Sequence, residues 1–212
     1  MFFTWGGYDS PEFTQNYRDK HGGEPVYSFF ADEEEAFNKM RAGFTPDLTF
    51  PCYGSIPKWA DAGLLKPIDK SLLSNWDDML EPLKNLPGIE IDGNLLFCHE
   101  DWGQTSVMFR GDLAPEYKDN PTWGILWDEK YKGRIAVLDG LQDNVPITGI
   151  YAGIEDPFDI NDEEVAKVRA LMEKQMPLLR MMVSDMTSLP QALVSGELIA
   201  AMGWNSMIWR VQ

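Results

Sequence analysis

Three times within the first 63 residues, a short apolar run gives way to a helix-start signal and then to a glycine stop. Met1-Phe2-Phe3-Thr4 runs into Trp5-Gly6-Gly7-Tyr8. Ser10 then reads as an N-cap with Pro11 at the first helical position, Phe13 and Tyr17 lie one turn apart, and Lys20-His21-Gly22-Gly23 supplies a cationic last turn and a stop. Residues 26–30 form the next short strand. Asp32 and Glu35 have capping-box spacing, and Phe37 and Met40 define the buried face of a helix ending at Gly43. Residues 47–52 read as a third strand, and the helix after it carries Trp59 to the Ala62-Gly63 stop. This alternation predicts an α/β fold, with a mostly parallel sheet covered by helices on both faces.

The rhythm then breaks. Residues 67–88 are an irregular, proline-punctuated helical stretch, and residues 89–97 read as a hairpin around Asp92-Gly93, a primed-turn dipeptide. A strand over residues 105–110 follows. Beyond Asp112 the alternation resumes, with a helix near residues 123–127, a strand at 134–138 and a helix after Leu141. A helix over 162–176, a strand at 178–183, a helix at 189–194 and a strand at 198–202 complete it. Asn161 and Glu164 cap the long helix, whose apolar stripe is Val165, Val168, Leu171 and Met172. Two α/β lobes, residues 1–104 and 105–212 with a crossing region at about 100–112, account for this better than one continuous sheet.

The formal net charge of −16 argues against nucleic acid or an anionic membrane surface as partner, and it is compatible with a cationic ligand. No apolar run is long enough to span a bilayer, and no basic n-region with an apolar h-region opens the chain. Cys52 and Cys98 fall at the ends of apolar runs. Two buried thiols are the simpler reading, and a disulfide between adjacent strand ends is the alternative. Cys98-His99-Glu100-Asp101 gathers ligand-type residues, but consecutive residues of an extended segment point alternately to opposite faces and cannot all converge on one metal ion. Neither a metal nor a cofactor is expected, and no catalytic set is assigned. A Cys–His pair has no motif behind it, and phosphate-binding and nucleophile-elbow glycine motifs are absent.

Function points instead to the strand ends. The run before Gly203-Trp204-Asn205 delivers a large aromatic and an amide to the C-terminal end of a strand, where open α/β sheets bind ligands. Trp5 and Tyr8 occupy the equivalent place after the first strand. Several segments resemble the extracellular solute-binding proteins of ABC importers, closest to the spermidine/putrescine-binding branch. They are Trp5-Gly6-Gly7-Tyr8, residues 47–51, Ala60-Asp61-Ala62-Gly63-Leu64-Leu65-Lys66-Pro67-Ile68-Asp69, Asp101-Trp102-Gly103, Leu126-Trp127-Asp128-Glu129-Lys130-Tyr131-Lys132-Gly133-Arg134-Ile135, and Ser195-Gly196-Glu197 with Gly203-Trp204-Asn205. The matches run in order along the whole chain.

The resemblance implies a two-lobed periplasmic-binding-protein-like clamshell of type II. Such a protein is periplasmic or extracellular, with its signal removed, and passes a polyamine or related organic cation from between its lobes to a membrane permease. In that family aromatic rings line the methylene chain and carboxylates hold the ammonium ends. Carried over by position, Trp5 matches the first-lobe tryptophan, Asp139 the second-lobe carboxylate and Trp204 the late stacking tryptophan. Cys52 and Gly54 fall where the family has a serine and a tyrosine, with Tyr53 between them, and Gln142 replaces a common second acid beside Asp143. Tyr8, Trp102 and Asn205 complete the expected site, and Glu100 and Asp101 are further acidic candidates. A helix N-cap role is the alternative for Asp139. Family members also continue beyond the Gly-Trp-Asn element to finish the first lobe. The expectation is therefore a chain truncated at its C-terminus, with an unpaired first-lobe strand edge, that binds ligand poorly or self-associates on its own. A compact form complete without that segment is the competing expectation. An amino-acid-like or different small organic solute is the competing ligand class. A doubly wound hydrolase or transferase is the runner-up architecture, and a purely structural interaction domain would explain the alternation but not the aromatic strand ends.

Overall fold

The computed structural model describes residues 1–184 and 187–210. Val211 and Gln212, at the end of the expected second lobe, lie outside the described residues. The chain divides into two compact units, Met1–Trp102 and Gly103–Gln212.

In the first unit, strand β1 (Phe2–Trp5) leads into helix α1 (Pro11–His21), then β2 (Tyr27–Phe30), α2 (Glu33–Arg41), β3 (Leu48–Thr49) and α3 (Ile56–Asp61). The sheet has the order β2-β1-β3 and is parallel throughout, with Phe2 opposite both Tyr27 and Leu48. Its central strand is covered on both sides. Phe3 is fully buried among Phe30, Ala36, Phe37 and Trp59 on the α2 and α3 side, whereas Phe2 meets the Tyr17 ring of α1 edge-on. Asp32 caps α2 by accepting from the Glu35 N–H at 2.8 Å, and the Glu35 carboxylate accepts from Ala31 rather than Asp32, so the expected capping box is realised one residue off. Ser10 stands at the N-cap of α1, but its side chain makes no capping bond.

The third strand is shorter than the expected 47–52. Phe50 still donates to the Phe3 carbonyl, but Pro51 has no N–H to continue the ladder and the chain turns away. Short 3₁₀ turns and the single-turn helix α4 (Glu81–Lys84) fill the proline-punctuated stretch. The hairpin then forms from β4 (Glu90–Ile91) and β5 (Asn94–Leu95), with Asp92 and Gly93 both at positive φ as a type I′ turn demands.

The second unit is built on a four-stranded sheet of order β6-β9-β7-β8: β6 (Thr105–Phe109), β7 (Ile135–Leu138), β8 (Leu179–Val183) and β9 (Ala200–Trp204). Helices α5 (Leu141–Tyr151), α6 (Asp162–Gln175) and α7 (Ser188–Ser195) connect or flank these strands. All four residues of β7 are buried, as expected of a strand covered on both faces. The last strand starts two residues later than the sequence implied. Leu198 donates to the Ala192 carbonyl in the turn after α7, and antiparallel pairing with β6 runs from Phe109↔Ala200 to Thr105↔Trp204. Trp204 is therefore the final residue of the strand and not a residue beyond it.

Residues 123–127 form a 3₁₀ turn opened by Thr122 rather than an α-helix. Asn161 and Glu164 form the reciprocal capping box on α6. Val165 is 47% exposed, however, and the buried positions of that helix are Val168 and Gln175, because the Gln175 amide reaches the Leu126 carbonyl. In α5, an added Cβ at Gly149 would lie 2.9 Å from Pro157 Cβ, and the proline ring cannot swing aside. Gly149→Ala is expected to destabilise the second unit by about 1–3 kcal/mol in chemical denaturation; an unchanged midpoint would show that this contact relaxes freely.

Candidate functional site

In a parallel sheet all C-terminal strand ends lie along one edge, and several of the expected residues gather there in each unit. In the first unit Trp5 ends β1. Its indole N–H donates to the Phe50 carbonyl at 3.0 Å and its ring meets Phe30 edge-on at 4.6 Å, so the ring is half-buried and fixed in orientation. Cys52 and Tyr53 follow β3 in a loop held by a buried acid. The Glu33 carboxylate accepts from the Cys52 N–H at 2.6 Å and the Ser55 hydroxyl at 2.7 Å, and burial raises its pKa. Glu33 was missed from the sequence because acidic residues in a first helical turn read as dipole partners. The Tyr53 hydroxyl donates to the Pro87 carbonyl. Cys52 is exposed rather than buried, since the turn at Pro51 carries it out of the sheet, and it is not bridged to the half-buried Cys98.

Tyr8 lies over the other face of the same sheet. Its hydroxyl donates to the Asp101 carboxylate at 2.6 Å, its ring stacks on Phe13 at 5.9 Å, and burial followed by the Asp101 contact raises its pKa. Trp102, two-thirds exposed, makes none of the ring contacts seen around Tyr8. Beneath Tyr8 is a recess of about 50 Å³ walled by Phe2, Phe13, Tyr17, Tyr27 and Phe50, with Thr4 and Glu100 also on its lining. Glu100 is exposed, but partial burial of its carboxyl, aided by the Asp101 charge, lifts its pKa to about 7. His99 is shifted the opposite way, towards the neutral imidazole, by burial.

In the second unit β7 and β9 run parallel, so Asp139, directly after β7, and Trp204, at the end of β9, share one sheet edge. Asp139 is exposed and is not the N-cap. That position belongs to Gly140, and the expected alternative of a capping role fails because the strand-to-helix turn is held otherwise. The buried Asn144 amide donates to the Leu138 and Gly140 carbonyls, both at 2.7 Å, and so fixes the turn that presents Asp139. Gln142 is exposed in the first turn of α5. The acid beside Trp204 is Asp143. It accepts from the Thr105 hydroxyl at 2.6 Å and from the Trp204 side chain, both of which hold its pKa down, while burial, the larger influence, raises it. Asn205 ties the edge to the incoming strand, donating from its backbone to the Gln104 carbonyl at 2.9 Å. Among the described residues no cluster of three or more His, Cys, Asp or Glu could hold a metal ion.

A family model described as bacterial extracellular solute-binding protein matches residues 13–212, and the chain belongs to that family. Among known relatives, the spermidine/putrescine-binding periplasmic protein of Escherichia coli K12 is 25% identical over 211 residues, covering 96% of this chain and 58% of its own length. The putrescine-binding periplasmic protein PotF of the same organism is 23% identical, covering 98% and 58%. The chain thus spans a little under three-fifths of the length of these relatives. A putative spermidine/putrescine ABC transporter protein of Listeria monocytogenes superposes with a TM-score of 0.84 at 21% identity, over 99% of this chain and 63% of that one. The TpPotD lipoprotein of Treponema pallidum gives 0.85 at 19%, over 100% and 66%. The fold is the mixed α/β fold of periplasmic binding proteins.

The turn before α5 carries the exposed acid of the second unit, and Asn144 is its buried fastener. Asn144→Ala is expected to cost about 1–3 kcal/mol, because the Leu138 carbonyl loses its side-chain donor and the Gly140 carbonyl keeps only the backbone N–H of residue 144 at 3.2 Å. Amide exchange should quicken at residues 139–141 before it does elsewhere in the sheet; uniform exchange would argue against a fastening role.

Proposed function

We infer that this chain is the ligand-binding receptor of an ABC importer rather than an enzyme. It captures a small organic cation such as a polyamine in the periplasm or outside the cell and delivers it to a membrane permease. The carrying observation is the edge of the second-unit sheet, where a half-exposed Trp204 stands with Asp143 and with the exposed Asp139. Aromatic faces attract and desolvate cations, and carboxylates on the same edge supply the counter-charge. In the first unit Trp5, Tyr8, Cys52, Tyr53 and Trp102 are the proposed contacts; in the second, Asp139, Gln142, Trp204 and Asn205. Two of the known relatives are named for binding spermidine or putrescine, which supports the substrate class. Among the described residues no helix is long and apolar enough to cross a membrane.

Calorimetric titration with spermidine and putrescine tests the reading. Trp204→Ala should weaken binding by about 1–3 kcal/mol through lost stacking and burial. Unchanged affinity with an intact fold would remove Trp204 from the site. Asp139→Asn should reduce putrescine affinity more than that of the neutral 1,4-butanediol. Equal losses for both would mean that Asp139 does not meet the ligand's charge.

A further inference from the structure

The hydrogen-bond ladder beside β3 stops at a residue that cannot continue it, and an acid from another helix takes over. Phe50 donates to the Phe3 carbonyl, Pro51 has no N–H to give, and Cys52 is the first residue beyond with a backbone donor to place. That donor goes to Glu33, the first residue of α2, at 2.6 Å. The other oxygen of the same carboxylate accepts from the Ser55 hydroxyl at 2.7 Å. Glu33 is only 7% exposed.

Two local rules are broken in this arrangement. Ser55 stands at the N-cap of α3, where a serine hydroxyl ordinarily accepts from the first turn of its helix. It makes no capping bond and serves Glu33 instead. A buried carboxylate is ordinarily paired with a cation, yet among the described residues Glu33 forms no ion pair. Lys58 of α3, the cation that acts on it, is bonded to Glu34 and lies over the Phe37 ring at 4.3 Å. Departures from local rules concentrate where a segment is held for function rather than for stability. The segment here is residues 52–55, and the Tyr53 ring is pinned at its far end by the hydroxyl's bond to the Pro87 carbonyl.

We propose that Glu33 is the positioning residue of this loop: without touching the ligand, its carboxylate sets the conformation in which Cys52 and Tyr53 meet it. This role rests on the reading of Cys52 and Tyr53 as ligand contacts. Both bonds use the ionised group, because a carboxylate accepts at each oxygen, whereas a carboxylic acid turns one oxygen into a donor. Burial, the largest influence, raises the Glu33 pKa, and the Ser55 and Cys52 bonds hold it down. The charged groups acting on it are Glu34 on its own helix and Lys58 on α3, which pair with each other. The loop adds the Cys52 thiol and the Tyr53 hydroxyl as titratable groups. The hold should therefore slacken in mildly acidic solution, as Glu33 takes up a proton above the usual carboxylate range.

Backbone amide NMR spectra of the ligand-free chain, read between pH 7.5 and 5, test the hold directly. The Cys52 amide proton of wild type should move upfield as the pH falls, and in Glu33→Gln it should stay at one position. Glu33→Gln keeps one acceptor and should fold. Its spermidine affinity at pH 7.5 should fall about three- to tenfold, and the gap to wild type should narrow toward pH 5. Ser55→Ala should lose a similar factor, and the double variant no more than the larger single loss, because the two side chains make one hold. A Cys52 amide that does not titrate in wild type, or that titrates equally in Glu33→Gln, overturns the role. Equal spermidine affinity in wild type and Glu33→Gln, or losses that add in the double variant, overturns it as well. If wild type binds neither spermidine nor putrescine, the ligand assignment fails instead, and the Cys52 amide still decides whether Glu33 holds the loop.

Discussion

A strand covered on both faces can be apolar on both, and a polar side chain within it needs a partner, because the interior offers no water in exchange. The structure depends on that constraint in both units. Ile135, Ala136, Val137 and Leu138 meet it along the whole of β7, and the four-stranded sheet is organised around them. In β1 the alternation sends Phe3 into the core with Phe37 and Trp59, and sends Phe2 and Thr4 to the α1 side. Thr4 is the departure from the rule, and it sits where the packing leaves a recess.

Acidic side chains do much of the positioning. Glu33 holds the loop after β3, Asp143 links Thr105 of β6 to Trp204 of β9, and Glu116 receives both the Tyr131 hydroxyl at 2.6 Å and Lys130. The Lys130 pairing, together with Tyr131, drops the Glu116 carboxyl to about 2. A chain with formal charge −16 therefore does not leave all of its carboxylates as a uniform solvated surface. Some act as clamps on the segments that carry the aromatic residues.

One of the segments that resemble the solute-binding family, Leu126-Trp127-Asp128-Glu129-Lys130-Tyr131-Lys132-Gly133, proves to be architectural. Trp127 stacks on Tyr151 at 4.2 Å and donates to the Leu171 carbonyl of α6, Tyr131 is buried against Glu116, and Gly133 takes a positive φ before β7. The segment seats α5 and α6 beside the sheet. Its aromatic side chains are spent on packing the second unit.

The order of strands and helices, the α6 capping box, the Asp92-Gly93 turn and the placing of Trp5, Asp139 and Trp204 at strand ends were all legible in the sequence, because each follows from local period, capping chemistry or turn chemistry. Pairing was not legible locally. The start of β9 at Ala200 was fixed by its register with β6, and the end of β3 by where Pro51 left the ladder. Likewise, only tertiary contact made Asp143 the acid beside Trp204, Asn144 the fastener of the Asp139 turn and Glu33 the holder of Cys52. Glu33 reaches across 19 residues to Cys52, and Asp143 across 38 to Thr105. Residue type and local spacing determine which elements form, whereas the partner of a side chain is set by which elements the packed sheets bring side by side.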